Sequence, residues 1–553
     1  MEFDAVLIEN RKQQMRANGL WLNETSNDHL DACLANCPDK IALIATNSQS
    51  GETTVLTYRE FAKRVNRAAI GLSRLGIKRH DVVAMQLPNW WEFSVIVFAC
   101  ARIGAACNPL MPIFRNHELR FMLALTEAKV VVVPKCFREY DFPNMYKELS
   151  HDLPTLEHVV IAGGQGPDSF AFLLEDEAFD QMKPTQENQA EPDDIIQLMF
   201  TSGTTGEPKG VMHSSNTLFS NIRRFAERLE LGANDTIHMP SPMAHQLGYA
   251  FGALLPVMLG ASVVLQDIWD PMICLRALRE HKCRFIMGAT PFVADLATCA
   301  MNSKQPVENL RCFVSAGAPI PGPLVDMAGK ALGAKIISAW GMTENSAVAL
   351  VRPDDPASRA ATSDGVCLPG METRVVGADG KELPLGNEGF LQVRGCSQFG
   401  GYLKRPHLNA TDAEGWFDTG DMARMDKDGY IRICGRSKDV IIRGGENIPV
   451  VEIEALLFKH PAIATVALVA FPDERLGERA CAFVALNQGI NFNFSDMINY
   501  LQKQKVTTQF LPERLEIMEK LPSTPSGKVK KFKLREIART FRIKEKNVRK
   551  IEA

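Results

Sequence analysis

The sequence has almost no net charge. Its 62 Lys and Arg residues and 65 Asp and Glu residues leave a formal charge of −3 over 553 residues. Non-specific binding to nucleic acid needs an excess of cations, and this balance provides none. We therefore expect no nucleic-acid partner.

The cysteines lack the spacing of a disulfide framework or a metal site. They number 13, are scattered, and form no C-x-x-C pair. Cys33 and Cys37 lie one helical turn apart, but no histidine pair accompanies them. This pattern is typical of reduced thiols and predicts a cytoplasmic protein.

Long uninterrupted apolar runs are also missing. The N-terminus has no apolar core of a secretory signal. The uncharged stretch 246–266 contains three glycines and Pro256, so we predict a buried helix to about Leu255 and a buried strand over 261–265. The sequence therefore predicts no stable membrane insertion. It does not indicate an oligomeric state, and a homo-oligomer stays open.

A chain of this length is too long for one core, and its pattern alternates between strands and helices. Thr57 and Glu60 form a predicted capping box for a helix that runs to about Leu75. The other elements predicted up to residue 200 are strands at 41–46, 82–87, 105–109, 130–133 and 194–200, and helices at 30–37, 90–103 and 117–125. Residues 163–193 are polar and predict a surface excursion. Such alternation indicates parallel sheets covered by helices.

Several later strands end in turns of small residues. These strands are predicted at 235–239, 285–288, 312–315 and 336–339, and the turn after the third contains Gly317 and Ala318. In open α/β sheets, ligands lie outside the carboxyl ends of the strands. We therefore expect these turns to line one crevice.

The fold class predicted is α/β, with a small mobile α+β domain after a large domain. Residues 1–435 form the predicted N-terminal domain of parallel-rich sheets, and about 365–435 form its β-rich subdomain. Residues 436–553 form the predicted C-terminal domain, a size typical of one small unit.

One stretch combines hydroxyls, glycines and a lysine between two predicted strands. It reads Thr201-Ser202-Gly203-Thr204-Thr205-Gly206-Glu207-Pro208-Lys209-Gly210. Glycines let backbone N–H groups approach a ligand closely, and the hydroxyls and Lys209 add donors and a cation. It is not a Walker A loop, because Pro208 replaces the second glycine and no helix follows directly. The stretch predicts a clamp for a nucleotide triphosphate, with a helix beginning near Ser214 or Ser215.

Four further motifs follow in order along the chain. They are Trp340-Gly341-Met342-Thr343-Glu344, Asp418-Thr419-Gly420-Asp421, Gly435-Arg436-Ser437-Lys438-Asp439 with Arg443-Gly444-Gly445-Glu446-Asn447-Ile448, and Pro525-Ser526-Gly527-Lys528. Taken alone, Trp340 could be a core aromatic, the Thr-Gly-Asp a turn, and Lys528 a solvated surface lysine. Together with the glycine-rich loop they resemble the adenylate-forming superfamily of acyl-CoA synthetases, peptide-synthetase adenylation domains and firefly-type luciferases. The sequence at 288–292 and 444–448 resembles the sequences of short- and medium-chain fatty acyl-CoA synthetases and cyclohexanecarboxylate-CoA ligases.

The resemblance implies ATP, Mg²⁺ and coenzyme A as cofactors. The implied nucleotide- and CoA-binding residues are Thr201, Ser202, Gly203, Thr204, Thr205, Gly206, Lys209, Gly317, Ala318, Trp340, Gly341, Met342, Asp421, Arg436, Lys438, Gly444 and Gly445. Thr201 and Glu344 are implied to hold Mg²⁺, and Asp421 to bind the ribose. Lys438 would be the hinge of the small domain, and the paired glycines would line the pantetheine tunnel.

The implied catalytic residues are Lys528, Thr343, Glu344 and His245. Lys528 would bring an ammonium to the attacking carboxylate. His245 would shape the acyl site, although a satisfied core histidine is the alternative reading. Residues 240–250 contain no acid that would hold an amino group, so an apolar acid is expected, of short or medium chain or alicyclic.

The reaction predicted is ATP-dependent formation of an acyl-CoA through an acyl-adenylate, releasing AMP and pyrophosphate. Transfer of the acyl group to a carrier protein is one alternative. A non-catalytic nucleotide-binding regulator is another, which loss of Lys528, Glu344 or Asp421 would have favoured.

Overall fold

The structure is a computed structural model that describes most of the chain. The described residues are 1–175, 188–201, 208–303, 306–317, 320–436, 439, 441–443, 446–473, 476–504, 506, 508–524 and 528–541.

The strands of the described residues are numbered here in chain order. They are β1 Ile41–Thr46, β2 Thr53–Thr57, β3 Val82–Met85, β4 Ala106–Pro109, β5 Val130–Pro134, β6 Cys136–Phe137, β7 Tyr140–Asp141, β8 His158–Ala162, β9 Ile195–Thr201, β10 Lys209–Ser214, β11 Thr236–Met239, β12 Ser262–Gln266, β13 Phe285–Gly288, β14 Cys312–Ala316, β15 Lys335–Met342, β16 Ser346–Leu350, β17 Val366–Cys367, β18 Met371–Val376, β19 Gly389–Gly395, β20 Phe417–Met425, β21 Ile431–Arg436, β22 Ile441–Arg443, β23 Glu446–Ile448, β24 Ile463–Asp473, β25 Gly477–Leu486 and β26 Arg514–Ile517.

The α-helices are numbered in the same way. They are α1 Val6–Glu9, α2 Lys12–Ala17, α3 Ser26–Asn36, α4 Tyr58–Arg74, α5 Trp91–Arg102, α6 Asn116–Thr126, α7 Phe142–Leu149, α8 Phe170–Leu174, α9 Ser215–Arg228, α10 Gln246–Gly248, α11 Leu255–Leu259, α12 Pro271–Glu280, α13 Thr290–Ser303, α14 Gly322–Leu332, α15 Ser358–Thr362, α16 Val450–Phe458, α17 Phe494–Lys503 and α18 Lys531–Ala538. Short 3₁₀ turns occur at Ser150–Asp152, Pro406–Leu408 and Thr508–Phe510, and a π-helical segment at Tyr249–Leu254.

Two large sheets form the first part of the chain. One has nine strands in the order β17-β16-β15-β14-β13-β11-β12-β1-β2, and the other has six in the order β10-β9-β4-β3-β5-β8. Their inner strands pair in parallel, and antiparallel pairs occur toward the edges. Strand β5 reads Val-Val-Val-Val-Pro and is buried throughout, as expected for a parallel strand covered on both faces.

Smaller sheets follow. Strands β18, β19, β20 and β21 form an antiparallel sheet, and β22 to β26 form the sheet of the last region. The last region has apolar clusters of its own, separate from the main core. The predicted fold class is thereby confirmed.

Local signals for element ends are confirmed in several places. Thr57 caps α4, and its side chain and Glu60 satisfy each other's backbone N–H groups as a capping box. Ser214 caps α9 in the same manner. Strand β1 spans the residues predicted for it.

Three predictions need correction. The excursion 163–193 contains α8, whose Phe170 and Leu173 are buried. The helix predicted to end at Leu255 continues through the π-helical segment and α11 to Leu259, with Pro256 in the first turn of α11. The turn expected at 289–291 is instead the start of α13.

Two further features of the described part bear on function. None of its helices is long and apolar enough to cross a membrane. All 13 cysteines are described, and all are free thiols.

Candidate active site

The glycine-rich loop joins two antiparallel strands. Thr201 ends β9, Lys209 begins β10, and these two residues face each other across the ladder. This arrangement is the strand–loop–strand predicted from sequence. The intervening Ser202, Gly203, Thr204, Thr205 and Gly206 lie outside the described residues, so their predicted phosphate contacts stay predictions.

The motif 340–344 lies at the carboxyl end of β15. Trp340 is 9% exposed, and its indole Nε1 donates to Asp421 Oδ2 at 3.1 Å. Gly341 is required by close packing, since a Cβ there would lie 2.1 Å from the Ser346 carbonyl oxygen. Met342 pairs with Ser346 across the same hairpin. The hairpin therefore turns sharply and places Thr343 and Glu344 at its tip.

Glu344 is 6% exposed, and a buried carboxylate needs partners. Tyr402 donates its hydroxyl to Glu344 Oε1 at 2.6 Å. The ammonium of Lys209 lies 4.2 Å from the centre of the Tyr402 ring. Tyr402 thus connects Glu344 with the cation at the end of the glycine-rich loop.

His213 supports the same hairpin from β10. Its Nε2 lies 2.7 Å from the Thr343 carbonyl oxygen, and its Nδ1 lies 3.0 Å from Thr217 Oγ1. Burial lowers the pKa of His213 to about 4. The imidazole is therefore neutral at pH 7 and serves as a hydrogen-bonding support for Thr343.

Asp421 and Arg436 face each other across β20 and β21. Arg436 Nε donates to Asp421 Oδ1 at 3.1 Å, so each oxygen of Asp421 has a donor. A carboxylate fixed in this way by two neighbours can accept hydrogen bonds from paired hydroxyls with its remaining lone pairs.

Lys528 and His245 come from distant parts of the chain, and the charge of Lys528 acts on His245. Both side chains are exposed, yet the surrounding protein removes enough water to lower the pKa of Lys528 to about 8. Nearby Arg436 lowers the pKa of Lys528 further, whereas Asp421 raises it. The pKa of His245 is lowered to about 4 by desolvation first and by Lys528 second. His245 is therefore neutral at pH 7, and because its side chain is exposed it is not a core histidine.

The turn that carries His245 is held by Asn89, which is 3% exposed. Its Nδ2 approaches the carbonyl oxygens of Met239, Ser241 and Gln266 at 3.3, 2.8 and 3.0 Å. Its Oδ1 accepts from the Met243 N–H at 2.7 Å. Since Asn89 follows β3 and its partners lie at or just after the ends of β11 and β12, it joins the ends of the two large sheets.

The structure brings together most of the described candidates. Contacts join Trp340, Asp421 and Arg436, and electrostatic proximity adds Lys528 and His245. Gly317 lies at the end of β14 with φ of 90°, in a conformation suited to glycine. Ala318, Lys438, Gly444 and Gly445 lie outside the described residues.

Sequence reasoning missed Tyr402, His213 and Asn89. Each acts through a partner far along the chain: Tyr402 and Glu344 are 58 positions apart, and His213 and Thr343 are 130 apart. No local spacing signals such contacts.

The oxygen donors fit Mg²⁺. Glu344 offers a carboxylate, and Thr201 offers a hydroxyl at the end of β9. Among the described residues no cluster of three or more His, Cys, Asp or Glu side chains exists. Mg²⁺ commonly takes one or two protein oxygens and completes its shell with substrate phosphates and water, so the Glu344 carboxylate and the Thr201 hydroxyl are ligands of the type that would hold it.

Comparison with known proteins identifies the family. The family model described as AMP-binding enzyme matches residues 30–403, and the one described as AMP-binding enzyme C-terminal domain matches residues 452–528. The chain belongs to the AMP-binding enzyme family. Within this family it is an AMP-forming acyl-CoA synthetase.

Individual relatives of the AMP-binding enzyme family span nearly the whole chain. The medium-chain fatty-acid–CoA ligase of Escherichia coli (strain K12) is 37% identical over 538 residues, which is 97% of this chain and 94% of that protein. The anthranilate CoA ligase AuaEII in complex with anthranoyl-AMP superposes with a TM-score of 0.84 at 26% identity, covering 94% of this chain and 98% of that one. ATP-bound MatB from Rhodopseudomonas palustris superposes with a TM-score of 0.81 at 25% identity, covering 93% and 99%.

Proposed function

We propose that this AMP-binding enzyme joins an apolar carboxylic acid of medium chain length to coenzyme A through an acyl-adenylate. The observation that carries the proposal is the Asp421 carboxylate, whose two oxygens are held by Trp340 and Arg436. Lys528 lies near enough to this pair for its pKa to respond to both Asp421 and Arg436. The Lys528 ammonium would then lie beside Asp421, the carboxylate proposed to bind the ribose. An attacking carboxylate would meet the α-phosphate of ATP at this position.

In the first step, a carboxylate oxygen of the acid attacks the α-phosphorus. The bond from that phosphorus to the bridging oxygen breaks, and pyrophosphate leaves. Thr201, Lys209 and the loop between them would hold the triphosphate, with Trp340 against the adenine and Asp421 on the ribose. Glu344 and Thr201 would hold Mg²⁺, which supplies neutralisation of phosphate charge. Lys528 would bring the two anions together.

In the second step, the small domain would rotate about Lys438 and withdraw Lys528. Gly444 and Gly445 would then line the path of the pantetheine arm. The CoA thiolate attacks the acyl carbonyl carbon, the carbon–oxygen bond to AMP breaks, and AMP leaves. Few contacts need to change for a hinge of this kind.

The residues of the turn at 240–250 indicate the substrate class. This turn has no carboxylate to hold an amino group, and His245 is neutral at pH 7. An apolar acid therefore fits better than an amino acid. The similarity to a medium-chain fatty-acid ligase supports a chain of about that length. Alicyclic acids such as cyclohexanecarboxylate belong to the same proposal, because Trp340 would narrow the pocket.

A cytoplasmic location and action on small molecules complete the proposal. The 13 free thiols support a reducing compartment.

The experiment is pyrophosphate release with ATP and Mg²⁺ across butyrate, hexanoate, octanoate, palmitate, cyclohexanecarboxylate and benzoate, each with and without CoA. We expect the largest rate with hexanoate or octanoate and a CoA-dependent thioester. Release without any CoA thioester would contradict the CoA step and favour a carrier-protein thiol as acceptor. No release with any acid would contradict the proposed activity.

A further inference from the structure

Tyr402 lies on a segment, residues 396–404, that we call the strap. Tyr402 is 2% exposed, and its hydroxyl makes the 2.6 Å bond to Glu344 described above. Its ring lies under the Lys209 ammonium. One side chain therefore contacts both the carboxylate assigned to Mg²⁺ and the cation assigned to the triphosphate.

The strap is fixed to strand β10 by its backbone. Gly400 N–H donates to the Met212 carbonyl oxygen at 2.7 Å, and Met212 N–H returns a bond to Gly401 at 3.1 Å. Leu403 N–H donates to Gly210 at 2.8 Å. The backbone on both sides of Tyr402 is thus anchored, and the phenol has little freedom to move.

The strap is also bonded directly to Glu344 and to the N-terminus. Phe399 N–H donates to the Glu344 carbonyl oxygen at 2.7 Å, and Arg11 Nη2 donates to the Phe399 carbonyl oxygen at 3.1 Å. Leu7 N–H donates to Gly400 at 3.2 Å. Both ends of the Glu344 residue, backbone and carboxylate, are therefore held by the strap.

A buried tyrosine–carboxylate bond can also be purely structural, and the chain contains one for comparison. Tyr430 donates to Asp355 Oδ2 at 2.6 Å, and the Arg359 guanidinium lies 4.0 Å from its ring centre. This pair has the same chemistry as Tyr402, Glu344 and Lys209. Tyr430 comes directly before β21, and Arg436 is at the other end of that strand. The length of β21 therefore separates the Tyr430 pair from the proposed nucleotide site.

We propose that Tyr402 is a positioning residue that aims the Glu344 carboxylate at the Mg²⁺ of bound ATP. The hydroxyl occupies Oε1 and fixes the rotation of the carboxylate, which presents its other lone pairs in one direction. Outer partners of this kind orient metal ligands. The inference rests on the proposed function only in taking Mg·ATP as the ligand.

The test is Tyr402→Phe, which removes the hydroxyl and keeps the ring under Lys209. ATP binding is measured by calorimetry with no acid and no CoA, once with Mg²⁺ and once with EDTA. Loss of an outer-shell partner typically weakens metal affinity about 10- to 100-fold. We therefore expect Mg·ATP to bind at least about tenfold more weakly, while ATP in EDTA binds as it does to the wild type.

Tyr430→Phe is the matched control and should leave both affinities unchanged. Tyr430→Phe also measures the loss of thermal stability that follows from removing a buried phenol–carboxylate hydrogen bond alone. If Mg²⁺ strengthens ATP binding by the same factor in wild type and in Tyr402→Phe, the proposal is overturned. If Tyr402→Phe does not fold, the second variant is Tyr402→Met, which has a flexible apolar side chain. It is judged by the same comparison of ATP affinity with Mg²⁺ and in EDTA.

The wild-type titration separates this inference from the proposed function. Wild type that binds no ATP contradicts the nucleotide site itself. Wild type that binds Mg·ATP but releases no pyrophosphate with any acid contradicts the activity, while the Tyr402 comparison still decides the inference.

Discussion

Trp340 and Asp421 are joined by a hydrogen bond from the indole N–H to Oδ2, which links the adenine side of the proposed nucleotide site to its ribose side. Trp340→Phe keeps an aromatic face but removes the donor, so Asp421 retains only the bond from Arg436. A hydrogen bond to a charged group contributes about 1.5–3 kcal/mol, so ATP should bind at least about tenfold more weakly.

Calorimetry with ATP and with 2′-deoxy-ATP checks this prediction. The preference for ATP should shrink in Trp340→Phe, because a misoriented Asp421 reads the ribose less well. The control is Trp269→Phe, which breaks a comparable indole–carboxylate bond to Asp295 of 2.9 Å in another part of the fold. If Trp340→Phe keeps the wild-type preference for ATP over 2′-deoxy-ATP, Trp340 has no part in ribose recognition.

Lys528→Ala should separate the two half-reactions. Adenylation should fall by at least about 10²-fold, the usual loss when one charge-stabilising donor is removed. Thioester formation from supplied acyl-AMP should stay close to the wild-type rate, since the lysine is withdrawn in that step. The measurements are pyrophosphate release and thioester formation. Lys533→Ala, on the exposed side of α18, is the control. Equal loss of both half-reactions would contradict the role.

The pH dependence follows from the lowered pKa of Lys528, which is about 8 in the free enzyme. The ammonium is present below that pH and is lost above it. The kcat/KM for adenylation should therefore decline as the pH rises through about 8. Bound triphosphate places negative charge near the lysine and favours the ammonium, so kcat should decline only at higher pH.

Lys528→Arg provides the check on the assignment of this titration. Since a guanidinium stays charged throughout, residual activity of Lys528→Arg should show no decline near pH 8. A decline at the same pH in both proteins would assign the titration to another group.

Asn89→Ala should change both stability and substrate choice. It leaves three carbonyl oxygens and one N–H without their buried partner, which should cost about 3 kcal/mol of unfolding free energy. The turn that carries His245 then loses its anchor, and the preference among acids should broaden. Chemical denaturation and the pyrophosphate assay measure the two effects. Asn487→Ala, an exposed asparagine bonded to Pro461, is the control. An unchanged acid preference would show that Asn89 has a structural role only.

Sequence predicted the elements whose signals are local. The capping box at Thr57 and Glu60 involves neighbouring residues, and so does the strand β1. The resemblance of the ordered motifs to the adenylate-forming superfamily also implied that Trp340, Asp421 and Arg436 share one site, and the structure places these three side chains in contact.

Sequence failed where distant packing decides the outcome. Helix α8 forms because it packs on α4, where a Cβ at Gly71 would lie 2.6 Å from the Leu173 carbonyl oxygen. The residues in and around it, 163–175, carry no periodic signal. Tyr402 escaped prediction for the same reason, since its partner Glu344 is remote in sequence and its contact with Lys209 requires the strap to run beside β10.

The ladder pairing of Asp421 with Arg436 has a consequence for the order of events during turnover. Arg436 ends β21, immediately before the segment proposed as the hinge, so the axis of rotation begins beside the residue proposed to hold the ribose. The small domain would then swing while the nucleotide stays where it first bound. A reactive mixed anhydride would not need to be released and recaptured between its formation and its use.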